Sequence, residues 1–180
     1  MIKEITLSVP KYVKKFIISE PDYDHLADGI IKVPRLTEMG HLIHGFSRTI
    51  NYTQKFTEVE VKKKFAPITL RYTCKKKGFD VPVQRYTALA AFLNEQFRAS
   101  LIREVTMLHR IHCEDDYSWM VRSFLDHRGV IVDDAQEKDM EWEAAKKIYR
   151  DHLSRIQVKN TKNCKLSQPS LSGLERVCRV

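Results

Sequence analysis

The chain reads as an α+β protein, with a small amino-terminal β-α-β-α-β-β unit followed by an all-helical unit that has a helix-turn-helix-like core. Three observations predict it. Near the start, Ile5, Leu7 and Val9 alternate with polar residues, the period of two that lines one face of a strand. From Thr87 onward, apolar residues recur every three to four positions instead, the period of an amphipathic helix. Gly129 then separates two such helical stretches, as a residue suited to a left-handed helix end does. With 180 residues, 43% of them hydrophobic, the chain is long enough to bury a substantial core. The changes of period divide it into a basic α+β unit (1–82), a helical, helix-turn-helix-like unit (83–158) and a polar flexible tail (159–180).

After the first strand, Pro10 suits the opening turn of a helix. That helix carries Tyr12, Val13, Phe16 and Ile17 on one side and Lys11, Lys14 and Lys15 elsewhere. A short strand followed by a short helix also opens ribbon-helix-helix repressors. Here a second strand, Ile30 to Val33, and a second helix, Thr37 to about Phe46, point instead to a compact α+β unit. The most basic stretch predicts a hairpin, Phe56 to Lys64 and Ile68 to Lys75, turned at Ala66-Pro67. Its packed face would hold Val59, Val61, Phe65, Ile68, Leu70, Tyr72 and Cys74, and its cationic face Lys62, Lys64, Thr69 and Arg71. With Lys75, Lys76 and Lys77 at one end, such a ribbon could lie along a phosphate backbone. Lysines on an edge strand also serve simply to block aggregation. Gly78 to Val83 reads as a linker.

In the second unit, a helix is expected from Thr87 to about His112, striped by Leu89, Leu93, Phe97, Leu101, Val105 and Leu108. Tyr117, Met120, Val121, Phe124 and Leu125 line the next, which Asp115 or Asp116 can cap and Gly129 ends. Beyond Val130-Ile131-Val132, a last helix reaches about Ile156, with Trp142, Ala145, Tyr149, His152 and Ile156 turned inward. At 100° per residue, Lys146, Lys147, Arg150, Ser154 and Gln157 fall on the opposite side, and these types reach phosphates and base edges. They would equally make an ordinary solvated face. A helix-turn-helix joins its helices through about 3–4 residues, which requires the last helix to start near Ala135 with Asp133 as its cap.

The net charge of +8 is unevenly placed. Residues 1–82 hold 15 Lys and Arg against 9 Asp and Glu, residues 83–160 hold 12 against 13, and residues 161–180 hold 4 against 1. Such an excess favours polyanions through counterion release. No apolar run approaches the 18 or so residues of a membrane span and no signal-peptide pattern opens the chain, so a cytoplasmic protein that does not enter membranes is expected. Cys74, Cys113, Cys164 and Cys178 lack C-x-x-C spacing, which indicates neither a zinc ribbon nor a disulfide framework.

Catalytic and metal patterns are sparse. His109 and His112 beside Cys113, and His41 with His44, stand at metal-ligand spacing, but neither pair implies a third ligand. Glu20, Asp22 and Asp24 read as a polar loop. Asp22 with Glu60 and Lys62 resembles the pattern of restriction-type nucleases, in which carboxylates hold a divalent ion and a lysine positions the attacking water. That pattern is degenerate, and the predicted loop keeps Asp22 off the strand of Glu60. There is no glycine-rich phosphate loop and no serine-hydrolase motif. The reading is therefore of a non-enzymatic protein without metal or cofactor.

Leu7-Ser-Val-Pro-Lys-Tyr-Val-Lys-Lys-Phe16, Gly29-Ile-Ile-Lys-Val-Pro-Arg35, Phe124-Leu-Asp-His-Arg-Gly-Val130 and Ala145-Lys-Lys-Ile-Tyr-Arg150 follow one another across residues 1–156. In this, the chain resembles a group of small basic proteins, mostly uncharacterised, carried by bacterial prophages and mobile elements. The resemblance implies a DNA-associated accessory protein and supplies no catalytic residues. Residues and resemblance together lead to the expectation of duplex DNA as partner, since aromatic residues do not cluster on an exposed sheet face as in many RNA readers. Phosphate contacts would come from Lys62, Lys64, Arg71 and Lys75, and groove contacts from Lys146, Lys147, Arg150 and Ser154. A protein-interaction adaptor or structural component is the alternative. The sequence leaves a homo-oligomer or a protein partner open.

Overall fold

A computed structural model describes residues 1–21, 23–26, 29–49, 64–74, 78–112, 116–133 and 137–166, with side chains as far as Gln157. The protein is α+β. In chain order the elements are β1 (Ile2–Pro10), α1 (Lys11–Ser19), β2 (Asp24–His25), β3 (Ile30–Lys32), α2 (Glu38–Phe46), β4 (Arg48–Thr49), β5 (Phe65–Thr73), β6 (Phe79–Asp80), a 3-10 turn (Val83–Arg85), α3 (Tyr86–His112), α4 (Ser118–His127) and α5 (Trp142–Leu166).

The alternation in β1 does what its period requires: Ile5, Leu7 and Val9 are buried while Glu4 and Thr6 face outward. Pro10, which lacks an N–H to donate, ends the strand and stands at the cap position of α1. Val13, Phe16 and Ile17 then turn onto the sheet. Thr37 caps α2, its hydroxyl oxygen accepting from the Gly40 N–H at 3.1 Å. The main sheet has the order β1-β5-β3-β2. β5 runs antiparallel to β1 from Ile2↔Thr73 to Pro10↔Phe65 and parallel to β3 at Ile30↔Thr69 to Lys32↔Arg71.

This arrangement corrects the hairpin turned at Ala66-Pro67. Both residues lie within β5, opposite Val9 and Ser8. Proline is tolerated there because β3 reaches only Thr69 to Arg71, so that edge of the strand needs no N–H at residue 67. Between Thr69 and Arg71 both edges of β5 are occupied, which leaves no room for the expected partner strand. Of that strand, Phe56 to Lys64, all but Lys64 lies outside the described residues. The alternation assigned to β5 does hold, with Ile68, Leu70, Tyr72 and Cys74 buried. The linker expected at Gly78 to Val83 instead contains β6, paired with β4 through Arg48↔Asp80 and Thr49↔Phe79.

α1 and α3 cover the apolar face of the sheet, and α4 and α5 pack against α3. The buried side chains of residues 1–82 and of 83–158 form one cluster. Phe97 joins its parts, with its ring centroid 4.9 Å from Tyr12, 5.5 Å from Phe16 and 5.8 Å from Phe124. Just past the Arg128 C-cap of α4, Gly129 has φ +61°, the left-handed geometry expected of it. The route from Arg128 to Glu141 into α5 is far longer than a helix-turn-helix turn of about 3–4 residues. Part of it is held down by Val130 and Val132, which are buried, and by the Asp139 carboxylate, which accepts from the Ile131 N–H at 2.9 Å. α5 starts at Trp142 rather than near Ala135, and it continues past Val158 to Leu166 through the first part of the expected tail.

Candidate nucleic-acid interface

α5 is built to show one side. Ala145 and Tyr149 are buried against α3 and α4, with Trp142, Ile148 and Leu153 packed at their flanks. The Tyr149 hydroxyl lies 3.0 Å from Nδ1 of His109, which fixes the helix to the end of α3. On the opposite side, Lys147, Arg150 and Ser154 are exposed. Neither Lys147 nor Arg150 forms an ion pair among the described residues, and the Ser154 hydroxyl donates to the Arg150 carbonyl at 3.0 Å. From Ser154 to Gln157 every residue is exposed. Its sequence holds seven Lys and Arg against two Asp and Glu.

Lys146 differs from its neighbours. It is half-buried, its ammonium 5.8 Å from the centroid of the Trp142 ring. Asp116, next to the Tyr117 cap of α4, accepts from the Ser118 backbone N–H at 2.8 Å. The Ser118 hydroxyl and backbone N–H hold the Asp116 carboxyl below the usual carboxylate range, and the charge of Lys146 adds to this. Trp142 also takes the Arg122 guanidinium 5.0 Å from its ring centroid, and Arg122 pairs with Asp133. Lys146 therefore contributes to the base of the cationic stripe more than to its outer edge.

The sheet side is different again. Arg71 projects from the face turned away from α1 and α3, where its Nε donates to Glu4 Oε1 at 2.8 Å. Beside it, Lys32 pairs with Asp24 at 3.2 Å. Cation and carboxylate thus alternate over this face, while Lys64, just before β5, is exposed. Because α5 packs on the helical layer, it stands on the other side of the sheet from Arg71. Sequence reasoning missed Glu4 as the partner of Arg71; the register that places them opposite each other spans 67 positions.

Asp22, Glu60, Lys62 and Lys75 lie outside the described residues, as does Cys113. Among the described residues no group of three His, Cys, Asp or Glu is placed to hold a metal ion. The pair on α3 is engaged otherwise: His109 with Tyr149, and His112 against the Trp119 ring at 5.1 Å. Glu20 is taken by Arg128, at 3.1 Å. No helix among the described residues is long and apolar enough to cross a membrane. Comparison with family models, with curated proteins and with solved structures finds no match to this chain.

Proposed function

We propose that this protein binds nucleic acid without catalysing a reaction on it, that its partner is duplex DNA, and that α5 is the element that enters the groove. The observation that carries this reading is the row Lys147, Arg150 and Ser154 on the outward side of α5, whose two cations form no ion pair among the described residues. An α-helix with its side chains is about 10–12 Å across and fits a major groove about 12 Å wide. Positions i, i+3 and i+7 lie along one side of it, so all three side chains meet the same groove wall. Unpaired cations bind phosphates by releasing condensed counterions, and they need not first give up a partner. Arg71 is held by Glu4 on the other side of the sheet, so a duplex seated on α5 does not also lie on the face of β5. Lys64, Lys62 and Lys75 remain with the phosphate-contacting role the sequence suggests. A cytoplasmic accessory or regulatory protein of a phage or mobile element accords with this activity and with the resemblance of the sequence motifs.

A mobility-shift titration at two salt concentrations tests the proposal. The wild type should shift a duplex near physiological salt, and Lys147→Ala with Arg150→Ala should weaken the shift and lower the slope of log K against log salt by about 2. Lys146→Ala should have the smaller effect, because its ammonium already rests on Trp142. A double variant that keeps both the affinity and the salt slope of the wild type would remove α5 from the interface. The alternative, a protein-interaction adaptor, is favoured by Met107 and Ile111, exposed one turn apart on α3. It predicts no shift of any duplex near physiological salt. A nuclease using Asp22, Glu60 and Lys62 predicts cleavage that needs Mg²⁺ or Mn²⁺ and is abolished by Glu60→Gln.

A further inference from the structure

β1 stands at one end of the sheet order, so one of its two edges has no partner strand among the described residues. The register fixes which backbone groups that edge carries. Met1 donates to the Cys74 carbonyl at 3.0 Å and accepts from the Cys74 N–H at 2.8 Å, which makes them a hydrogen-bonded pair of the antiparallel ladder. Such pairs alternate along a ladder. Lys3, Ile5, Leu7 and Val9 therefore turn their N–H and C=O groups to β5, while Glu4, Thr6 and Ser8 turn theirs the other way. The outward groups find no backbone partner among the described residues, and they recur roughly every 6.8 Å along the strand. An edge is commonly closed by an unpaired lysine, a mid-strand proline or a bulge. β1 has none of these. It pairs with β5 without interruption, and its charges are spent, Lys3 on Asp80 at 3.0 Å and Glu4 on Arg71 at 2.7 Å.

A groove of about 310 Å³ lies beside the same strand, lined by Ser8 and Pro10 of β1, Phe65 of β5, and Ala90, Ala91 and Asn94 of α3. α3 packs on β1, and its two alanines at this point are too short to fill the space. Lys11 and Lys64, next in sequence to Pro10 and Phe65, form no ion pair among the described residues, so this end of the groove is cationic. Backbone donors and acceptors at strand spacing are complementary to another extended backbone, and an apolar groove beside them takes its alternate side chains. We propose that β1 and α3 together bind an extended segment of a partner protein. The segment adds antiparallel to β1, lays small β-branched side chains in the groove, and carries acidic residues at its amino-terminal end, beside Lys11 and Lys64. Charge selects against a second copy of this chain, because antiparallel pairing would bring the amino-terminal cation of its own β1 to that end.

The test is fluorescence anisotropy and amide hydrogen exchange by NMR on the full chain, with the acetylated, carboxy-terminally labelled peptide Glu-Glu-Val-Thr-Val-Thr-Val as probe. In the protein alone, the amides of Glu4, Thr6 and Ser8 should exchange fast and those of Ile5, Leu7 and Val9 slowly. The probe should bind saturably below millimolar concentration and slow the first three. With its valines in the groove, the threonine N–H groups of the probe face β1. N-methylation of those threonines should therefore weaken binding about tenfold, and N-methylation of the middle valine should not. Thr6→Pro removes a donor that β5 does not use, so the ladder survives while the edge is blocked; it too should weaken binding about tenfold. Lys147→Ala with Arg150→Ala should leave binding unchanged, so this site stands or fails apart from α5. No saturable binding, equal binding of the threonine-methylated probe, or equal binding by a Thr6→Pro chain that keeps Ile5, Leu7 and Val9 protected would overturn the proposal. So would slow exchange of Glu4, Thr6 and Ser8 in the protein alone: at every concentration it would mean that the chain covers its own edge, and only at high concentration that a second copy does.

Discussion

Arg128 sits where α1, α3 and α4 meet and joins all three. Its guanidinium donates to Glu104 through Nη1 at 3.1 Å and to Glu20 through Nη2 at 3.1 Å, and it stacks 4.0 Å from the Phe124 centroid and 5.5 Å from that of Phe16. The side chain is 9% exposed, so its charge is held by these partners rather than by water. Arg128→Met would leave two carboxylates without their cation. Glu104 is 40% exposed and recovers some hydration, so the expected loss is about 2–3 kcal/mol, below the upper range for a fully buried pair. Urea denaturation measures it, and adding Glu20→Gln and Glu104→Gln to the same chain should restore part of the loss. His44 acts through pH. Burial first, then the charges of Arg35 and His41, lower its pKa from the usual 6.5. The unfolded chain therefore takes up this proton first, and stability falls as the pH drops below 6.5 until the folded histidine is protonated too. His44→Gln should flatten the dependence of the urea midpoint on pH in that window. An unaltered slope would mean that another group is responsible.

At the scale of the element, α2 tests the packing directly through its two glycines. A Cβ on Gly40 would fall on the carbonyl oxygen of Pro34 and come within 2.8 Å of that of Arg35, both of them backbone. Gly40→Ala should therefore push α2 away from its own entry turn and cost about 1–3 kcal/mol. Gly45, in the same helix, has nothing within 4 Å of that position, so Gly45→Ala should stabilise by about 0.4–1 kcal/mol by restricting the unfolded chain. Thermal denaturation of the two variants should move in opposite directions. β1, α1, α3 and α4 were legible because each spends its apolar residues on one face with a regular period. The pairing of β5 was not, since its neighbours are chosen by contacts many positions away, and Pro67 looks locally like a turn. β6 has two residues, too few to show any period. In α5 the exposure of Lys147, Arg150 and Ser154 follows from the helical repeat. The half-burial of Lys146 depends on Trp142 one turn earlier, whose ring could serve as core or as a platform until the packing decides.

For the molecule as a whole, the question is whether the sheet unit and the helical unit unfold together. Their buried side chains form one cluster, and α3, which begins the helical unit, packs directly on β1 and α1. Phe97 touches Tyr12 and Phe16 on one side and Phe124 on the other, so it belongs to both units at once. A core shared in this way should give one cooperative transition, since neither part keeps its apolar face covered after the other opens. The chain supplies a reporter on each side. Both tryptophans, Trp119 and Trp142, lie in the helical unit, whereas Cys74 is buried at the end of β5. Tryptophan fluorescence and protection of the Cys74 thiol, followed by mass spectrometry across a urea titration, should therefore yield coincident midpoints. Phe97→Ala should lower both together by about 3–5 kcal/mol of stability, the range for removing a buried aromatic ring. If Cys74 became reactive while the tryptophans still reported a native environment, or the reverse, the units would be separable domains, and Phe97 would belong to only one of them.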